Sequence, residues 1–584
     1  MHRGTASPEV LSMNMTVVGL MGCGLLAIGP VGAAPPAAFD VRDFGAVGDG
    51  VTDDTAGFQA ALDAAGEQGG GIVHAPRGDY LIGTHLAVPD HVTLEGVFTV
   101  PTAWSQNRGT TLLAVEGEGS EDGPAFITLG LNSTLKGLTV YYPGQDDPDN
   151  IKPYPWCIQG RGPDNASIVD CLLVNPYNAV DFGTNNSGRH YIRNLYGQPL
   201  RRGIFVDKCY DVGRIENVHF WPFWNWNTPG IKQWMAENSE ALIFARTDWE
   251  YVLNVFVFGY HIGYRFTQSE SGACNGNFVG IGADASQYAV WVDQCQGMGL
   301  LIANGEFVAM QGEEPISIYI GPDNTGAVNL SNCAFWGPSR QLLRQEGVGT
   351  TTFSACNFLG WDSGAEGRPA LEVLAGQLLV NGCSFTKPGT HVYLGDQALG
   401  AAIVGNHVAG ELRVAGESAD LAQVGLNAEV VVSEGHIVLG SPNRSRFVDQ
   451  WDGADGSTSV VEIEGRECRR TDGRYMVFGV HDSIAGGGTH PRVAVEVEYF
   501  DEGTGSFFLE YDSSDESVQV VPQWPGAFKP SDEAVAFENT GEWRTATFLL
   551  EDALFSGRCN GGDLRITVPQ STIAVREVRV ERVE

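Results

Sequence analysis

The sequence predicts an all-β protein: a single-stranded, right-handed parallel β-helix followed by a C-terminal β-sandwich of the jelly-roll kind. Three observations support this fold class. A short apolar segment ending in a large apolar residue recurs at intervals of about 22 to 36 residues. The composition is rich in glycine, with 76 residues, and poor in charge, at 18%, as expected for turn-rich β structure. After about residue 440 the repeat stops and alternating apolar and polar segments replace it.

The repeat consists of an apolar strand, an Asn or Cys, and then a large apolar residue. One coil cannot bury its apolar face alone, but coils stacked about 4.8 Å apart place like residues over like. We therefore expect an interior aromatic stack formed by one phenylalanine from each of six coils: Phe256, Phe278, Phe307, Phe335, Phe358 and Phe385.

Eleven cysteines raise the question of disulfides. Four of them occupy the same position of the repeat, which predicts a buried ladder of small apolar side chains rather than disulfide bonds; they are Cys171, Cys333, Cys356 and Cys383. Cys468 and Cys559 lie beyond the repeat, where pairing with each other and remaining free are both open.

The segment at the start of the repeat carries the most specific motif. Phe39-Asp40-Val41-Arg42-Asp43-Phe44-Gly45-Ala46-Val47-Gly48-Asp49-Gly50 leads into Val51-Thr52-Asp53-Asp54-Thr55 and then into an apolar-faced helix near Phe58 and Leu62. This segment resembles the beginning of the pectate-lyase-like β-helix superfamily, which includes polygalacturonases. The resemblance implies a β-helix whose open end is capped by the helix, and a polysaccharide as substrate. We interpret Asp49, Asp53 and Asp54 as structural residues, with Thr52 or Asp53 capping the helix.

The polygalacturonase signature itself (Asn-Thr-Asp, paired Asp, Gly-His-Gly and Arg-Ile-Lys) is absent from the sequence. The resemblance therefore implies an architecture and a class of substrate, and it does not imply that particular activity.

Three domains are predicted. Residues 1–34 contain an apolar stretch that ends in small residues and is typical of a signal peptide, which predicts a secreted or periplasmic protein. Residues 35–440 form the β-helix that carries the site, and residues 441–584 form an accessory β-sandwich, for which a lectin-like and a stabilising role are both open.

The net charge of −36 excludes nucleic acid as a favourable partner and disfavours a strongly anionic polymer. No apolar run beyond the signal segment is long enough to span a bilayer. No zinc-type Cys/His spacing or acidic Ca²⁺ loop is present, so no cofactor is required, although Ca²⁺ stays open. The sequence leaves the oligomeric state undetermined.

A tryptophan-rich segment is the first candidate for substrate binding. Flat aromatic side chains suit stacking against sugar rings, although the same residues could instead pin a loop to the coils. The candidates are Trp221, Trp224, Trp226 and Trp234.

Arg246, Asp248 and Glu250 would project from one face of an extended strand, with successive Cβ atoms about 6 to 7 Å apart. Glycosidases use two carboxyl groups at such a separation, one as acid and the other as base or nucleophile. The alternative is a surface ion-pair ladder.

Glu306 precedes an inward phenylalanine and should face outward, beside Asn277 and Ala334 in the same column, as a further catalytic carboxylate. Asp284 and Trp336 could line the same groove. A separate basic cluster suits a uronate subsite or a β-eliminating lyase; it comprises His190, Tyr191, Arg193, Arg201 and Arg202.

The leading hypothesis is a glycoside hydrolase that degrades a polysaccharide, with Asp248, Glu250 and Glu306 as catalytic carboxylates. The alternatives are a polysaccharide lyase acting on a uronate polymer and a non-catalytic glycan-binding adhesin.

Overall fold

The computed structural model describes residues 38–102, 105–222, 229–425, 427–430, 433–453 and 455–583. The predicted signal segment, Trp224 and Trp226 lie outside the described residues. From Ala38 to Val430 the chain winds into coils whose strands pair in parallel with the strands of the coils before and after. The protein is a right-handed parallel β-helix followed by antiparallel sheets, as the sequence predicts. No helix in the described ranges has the length and apolarity that crossing a membrane requires.

The coils build three parallel sheets. Sheet 1 contains Ala38–Asp40, Gly71–His74, Val92–Glu95, Thr134–Lys136, Ser167–Val174, Tyr191–Gly197, Arg214–Phe220, Thr247–Leu253, Gly272–Val279, Cys295–Ala303, Val328–Ser331, Thr350–Ser354, Leu371–Asn381, Val392–Val404 and Ala422–Val424. Gln268–Ser269 adds a short antiparallel strand beside Gly272–Val279.

Sheet 2 takes the C-terminal parts of three of those strands (Ser167–Val174, Tyr191–Gly197 and Arg214–Phe220). Its other strands are Asp49–Asp53, Gly78–Ile82, Thr110–Ala114, Leu138–Tyr141, Phe256–Phe258, Gly282–Ser286, Glu306–Ala309, Ala334–Phe335, Asn357–Phe358, Ser384–Phe385, His407–Ala409 and Ala428–Val430.

Sheet 3 closes each coil. It takes the N-terminal parts of Leu371–Asn381 and Val392–Val404. Its other strands are Leu86–Val88, Ile127–Leu129, Trp156–Gly160, Asn178–Phe182, Arg202–Val206, Glu240–Phe244, Ile262–Phe266, Tyr288–Val292, Ile316–Ile320, Gln341–Gln345 and Val414–Ala415.

Helices are few. The predicted N-terminal helix spans Thr55–Glu67, and its N-cap is Asp54 rather than Thr52 or Asp53. The Asp54 carboxylate instead accepts hydrogen bonds from the backbone of Val47 and Gly48, in keeping with a structural role. The other helices are Pro229–Asn238 and Asp482–Ala485, with 3₁₀ turns at Val41–Phe44, Pro143–Gln145, Ala419–Leu421 and Gly486–Gly488.

The recurring asparagines turn the chain from sheet 1 into sheet 2. Each takes the left-handed conformation, which Asn tolerates better than other non-glycine residues; the set includes Asn194, Asn217, Asn254, Asn304 and Asn332. Their side chains form a ladder between coils, with Asn217 donating to Asn194 at 2.9 Å and Asn332 donating to Asn304 at 2.8 Å.

The aromatic stack is confirmed for four of the six predicted residues and is wrong for two. One inward column of sheet 2 runs Phe220, Val257, Ala283, Phe307, Phe335, Phe358, Phe385 and Val408. Phe256 faces outward, because its neighbour Val257 takes the inward position. Phe278 is buried in sheet 1, where it pairs with Val252 and Ile302.

All ten cysteines within the described part of the chain are free and buried, including the four of the predicted ladder. Cys468 and Cys559 are not paired, because they pack in separate small apolar clusters of the C-terminal region.

The C-terminal region consists of two antiparallel sheets around their own apolar core. Its strands begin at Glu434, a few residues before the proposed domain boundary at residue 440. One sheet contains Glu434–Val438, Arg444–Arg446, Thr458–Ile463, Arg466–Thr471, Val493–Phe500, Trp543–Leu550 and Ala574–Arg582. The other contains Val448–Trp451, Tyr475–Val480, Ser506–Tyr511, Lys529–Pro530, Val535–Ala536 and Leu564–Thr567.

Candidate functional site

The outward face of sheet 2 brings together four of the residues selected from the sequence: Trp221, Asp284, Glu306 and Trp336. Ala283 and Phe307 occupy the inward column, so the residues on either side of them point outward. Two outward columns follow from the register. One contains His219, Phe256, Gly282, Glu306 and Ala334. The other contains Trp221, Phe258 and Asp284, and Trp336 follows it two coils later, beyond a shift in register between Ala283 and Ser286.

Aromatic side chains lie at the start of the second column and beyond its end. The Trp221 ring lies against Phe258, with ring centroids 4.2 Å apart, and stacks on Phe256 at 5.9 Å. Trp336 is exposed at 40% of its surface. Four coil spacings separate the two tryptophans, or about 19 Å at 4.8 Å per coil. The acidic residue Asp284 lies midway between them.

Glu306 pairs with Gly282, not with the predicted neighbour Asn277, which lies in sheet 1 opposite Tyr251 and Leu301. Gly282 has no side chain, and the Phe256 ring lies over it, with Cδ2 only 3.0 Å from the place that a Cβ atom would take. Ala334 is the other neighbour, as predicted.

The two carboxyl-bearing residues of this face differ in environment. Glu306 is exposed. Asp284 is half-buried, and this burial raises the pKa of its carboxyl group, although a hydrogen bond from the Ala285 backbone partly opposes the shift. Nearby, burial lowers the pKa of His219, which favours a neutral imidazole on the same face.

The predicted pairing of Asp248 with Glu250 on one face is wrong. Trp249 adopts a left-handed backbone, with φ of 56°, and the strand pairing shifts register between Thr247 and Glu250. The alternation of side chains is broken there, so Trp249 is exposed while Glu250 points into the coil and is fully buried. Asp248 stays half-buried in an ion pair with Arg246 at 2.8 Å.

The predicted basic cluster does not form one site. His190 lies inside the coil, where its Nε2 is 3.0 Å from Oε1 of Glu250. Burial lowers the pKa of His190, but the Glu250 carboxylate outweighs it, and the net shift is well above the ordinary value. The Tyr191 hydroxyl donates to Glu216 at 2.9 Å, and Arg193 lies 3.9 Å from Asp170.

The remaining members lie on sheet 3 or beside it. Arg202 forms an ion pair with Glu121 at 3.2 Å, and Arg201 donates to the Asn238 carbonyl. Trp234, in the helix Pro229–Asn238, packs against Tyr177 with ring centroids 5.7 Å apart, which matches the loop-pinning alternative.

The sequence does not decide whether the protein binds Ca²⁺. The potential metal-ligand atoms that the structure brings together inside the coils do not suit this ion. Among the described residues, one grouping of three potential ligands places its donor atoms within 4.8 Å of one another, namely His190, Cys209 and Glu250. Calcium takes oxygen ligands, whereas two of these three donors are nitrogen and sulfur.

Sequence reasoning missed Phe256, Phe258 and His219 as residues of the outward face. The Phe-Val-Phe triplet alternates large aromatic residues around a β-branched one, a signal that would have placed Val257 inside and both phenylalanines outside.

A family model described as rhamnogalacturonase A/epimerase, pectate lyase-like, matches residues 38–205. Over these residues the chain is similar to the pectate-lyase-like β-helix superfamily. Mannuronan C5-epimerase AlgE1 of Azotobacter vinelandii is 37% identical over 131 residues, covering 19% of this chain and 9% of the epimerase. Alginate lyase 7 of the same organism is 32% identical over 131 residues, covering 19% and 15%. The matched segments therefore span well under a fifth of these curated relatives.

Among solved structures, the bacteriophage phi29 gene product 12 N-terminal fragment is similar to this chain at a TM-score of 0.48 and 12% identity. The alignment covers 66% of this chain and 72% of the phage protein.

Proposed function

We propose that this chain is an exported glycoside hydrolase that cleaves a polysaccharide on the outward face of sheet 2. In this proposal Asp284 is the general acid and Glu306 is the general base. The main supporting observation is the diagonal placement of these two residues on adjacent coils, with Trp221 on one side of them and Trp336 on the other.

The separation of the two residues suits inversion at the anomeric carbon. Glu306 lies across from Gly282, and Asp284 is two residues farther along that strand. With about 4.8 Å between coils and about 6.6 Å for two residues, the Cα atoms are roughly 8 Å apart. Inverting glycosidases hold their carboxyl groups about 6.5 to 9.5 Å apart, which leaves room for the attacking water, and side chains on Cα atoms at this spacing can reach such a separation.

The different environments of the carboxyl groups support the division of roles. Burial raises the pKa of Asp284, which favours the protonated form that a general acid needs. Glu306 is solvent-exposed, so that water can reach it. Trp221 and Trp336 offer flat surfaces on either side for the sugar rings of a bound chain.

A polysaccharide substrate is supported by the names of the relatives, which are an epimerase of mannuronan and a lyase of alginate. Hydrolysis is favoured over β-elimination because the cationic residues selected for a uronate subsite are dispersed and already paired with carboxylates or a carbonyl. The net charge of −36 also disfavours an anionic polymer.

The test is a panel of neutral and anionic polysaccharides incubated with the full exported chain. We expect new reducing ends from a neutral polymer, with the inverted anomer seen first by proton NMR. An unsaturated, ultraviolet-absorbing product would instead establish a lyase. Binding without turnover across the panel would establish an adhesin, and the retained anomer would overturn the assigned roles.

A further inference from the structure

The interior of the β-helix contains a polar cluster that the proposed function does not use. His190, Gly213 and Glu250 occupy one inward column on three successive coils, because each directly precedes a member of the register Tyr191, Arg214, Tyr251. Both His190 and Glu250 have no exposed side-chain surface. The buried Cys209 lies beside them, and the three donor atoms are within 4.8 Å of one another.

Gly213 is what allows the two outer side chains to meet. A Cβ atom at this position would lie 2.2 Å from Cε1 of His190 and 2.3 Å from Oε2 of Glu250. Any side chain on the middle coil would therefore fill the space where the histidine and the carboxylate converge.

The hydrogen bonds of the cluster leave two atoms that could bind a metal ion, Nε2 of His190 and Oε2 of Glu250, directed at this space. Nδ1 of His190 donates to the Ser187 carbonyl at 2.8 Å, an arrangement that fixes the ring and aims Nε2 at Glu250. Metal-binding histidines are held in this way by their second nitrogen. Oε2 of Glu250 is buried and has no hydrogen-bond partner in the described structure. An unpaired buried carboxylate oxygen is costly unless a cation satisfies it.

We propose that His190, Cys209 and Glu250 bind one zinc-class divalent cation inside the coils. Imidazole nitrogen, thiolate and carboxylate are the three kinds of ligand that zinc takes in proteins. Tetrahedral zinc holds its ligand atoms about 3.3 to 3.8 Å apart, so a cluster spread over no more than 4.8 Å needs only small side-chain movements. The role of the ion is structural: it ties three successive coils together.

This inference does not depend on the proposed hydrolase activity, because the cluster is inside the coils and the outward face of sheet 2 is outside them. Its failure and the failure of the proposed function are therefore separate results.

The test measures metal in the intact protein. Because the cluster is sealed from solvent, the ion must enter as the coils close, so the full chain is produced without an affinity tag in minimal medium supplemented with Zn²⁺ or with Co²⁺. We expect close to one equivalent of metal per chain by mass spectrometry. The cobalt form should show the near-ultraviolet charge-transfer band of a thiolate ligand.

Cys209→Ser is the informative variant, and Cys333→Ser, at a buried cysteine of the ladder, is its matched control. The first should lose the charge-transfer band and most of the metal, and the second should keep both. Should Cys209→Ser fail to fold, His190→Gln takes its place, with loss of the metal as the expected result.

Wild-type protein that holds no more metal than Cys209→Ser would overturn the proposal, and so would a cobalt band that survives that variant. The cluster would then be a buried ion pair between a protonated His190 and Glu250.

Discussion

Asp284 and Glu306 lie diagonally across adjacent coils of sheet 2, because Glu306 pairs with Gly282, two residues before Asp284. We expect Asp284→Asn and Glu306→Gln each to lower kcat on the order of 10² to 10⁴-fold, the contribution usual for general acid–base catalysis. Initial rates on the polysaccharide identified by the panel measure this. Asp248→Asn is the matched control and should keep its turnover, since Asp248 is tied to Arg246 away from this face. Full activity in Asp284→Asn would remove the residue from the mechanism.

The aromatic ends of this face should control binding of longer substrates. We expect Trp336→Ala to raise KM for long oligosaccharides by ~2 to 10-fold, as a ring contact worth about 0.5 to 1.5 kcal/mol predicts. Short substrates that do not reach Trp336 should be affected less. Trp524→Ala is the control, because Trp524 is similarly exposed, at 49%, and belongs to the C-terminal region. Equal effects of the two variants would argue against a subsite at Trp336.

Glu250 should behave as a structural residue rather than a catalytic one. Glu250→Gln removes a fully buried carboxylate that lies 3.0 Å from His190, and losing one charged member of a buried cluster costs on the order of 3 kcal/mol. We expect a lower urea midpoint for unfolding. Asp248→Asn breaks a partly exposed pair and should cost less than about 1 kcal/mol. Lost turnover with an unchanged urea midpoint in Glu250→Gln would return this residue to the active site.

His391 should make the protein less stable in acid. Burial lowers the pKa of His391 to about 4, below the ordinary value of 6.5, so the folded state favours the neutral ring. The contribution of the neutral ring to the free energy of unfolding is fully present above pH 6.5. It is lost as the pH falls from 6.5 toward 4, and the total loss is on the order of 3 kcal/mol. Urea unfolding across this range measures the loss. His391→Gln should flatten the profile, whereas His407→Gln, at an exposed histidine, should not.

Ala355 takes the left-handed turn position, with φ of 53°, that Asn332 occupies on the preceding coil and Gly382 on the following one. We expect Ala355→Asn to stabilise the protein by about 0.5 to 1 kcal/mol, because asparagine tolerates this conformation better than alanine. Thermal unfolding measures the gain. The control is Ala334→Asn, within a sheet 2 strand, where asparagine is disfavoured and no gain is expected. A loss of stability in Ala355→Asn would mean that packing around the methyl group matters more than the backbone.

Much of the architecture can be predicted from the sequence because each coil repeats the same physical requirements. Phe307, Phe335, Phe358 and Phe385 each follow an inward cysteine or glycine by two residues, and local alternation is enough to bury them. The same reasoning failed at Phe256 and Phe278. The coils differ in length, so the sequence spacing does not reveal which residues of successive coils lie over one another.

The candidate site depended more on tertiary structure. Asp284, Glu306, Trp221 and Trp336 were each selected from the sequence, but their grouping on one face depends on the pairing of Glu306 with Gly282. Glu250 was assigned to the wrong side of its strand, because the left-handed backbone at Trp249 leaves no pattern in the residue types.

The sequence by itself determined the β-helix, its capped beginning and the change to antiparallel strands, since these follow from periodicity and local turn chemistry. Only the tertiary structure decided which carboxylates face the same surface and that His190 meets Glu250 across Gly213. The physical reason is that contacts between coils depend on register, and register is set by how the coils stack rather than by any one segment.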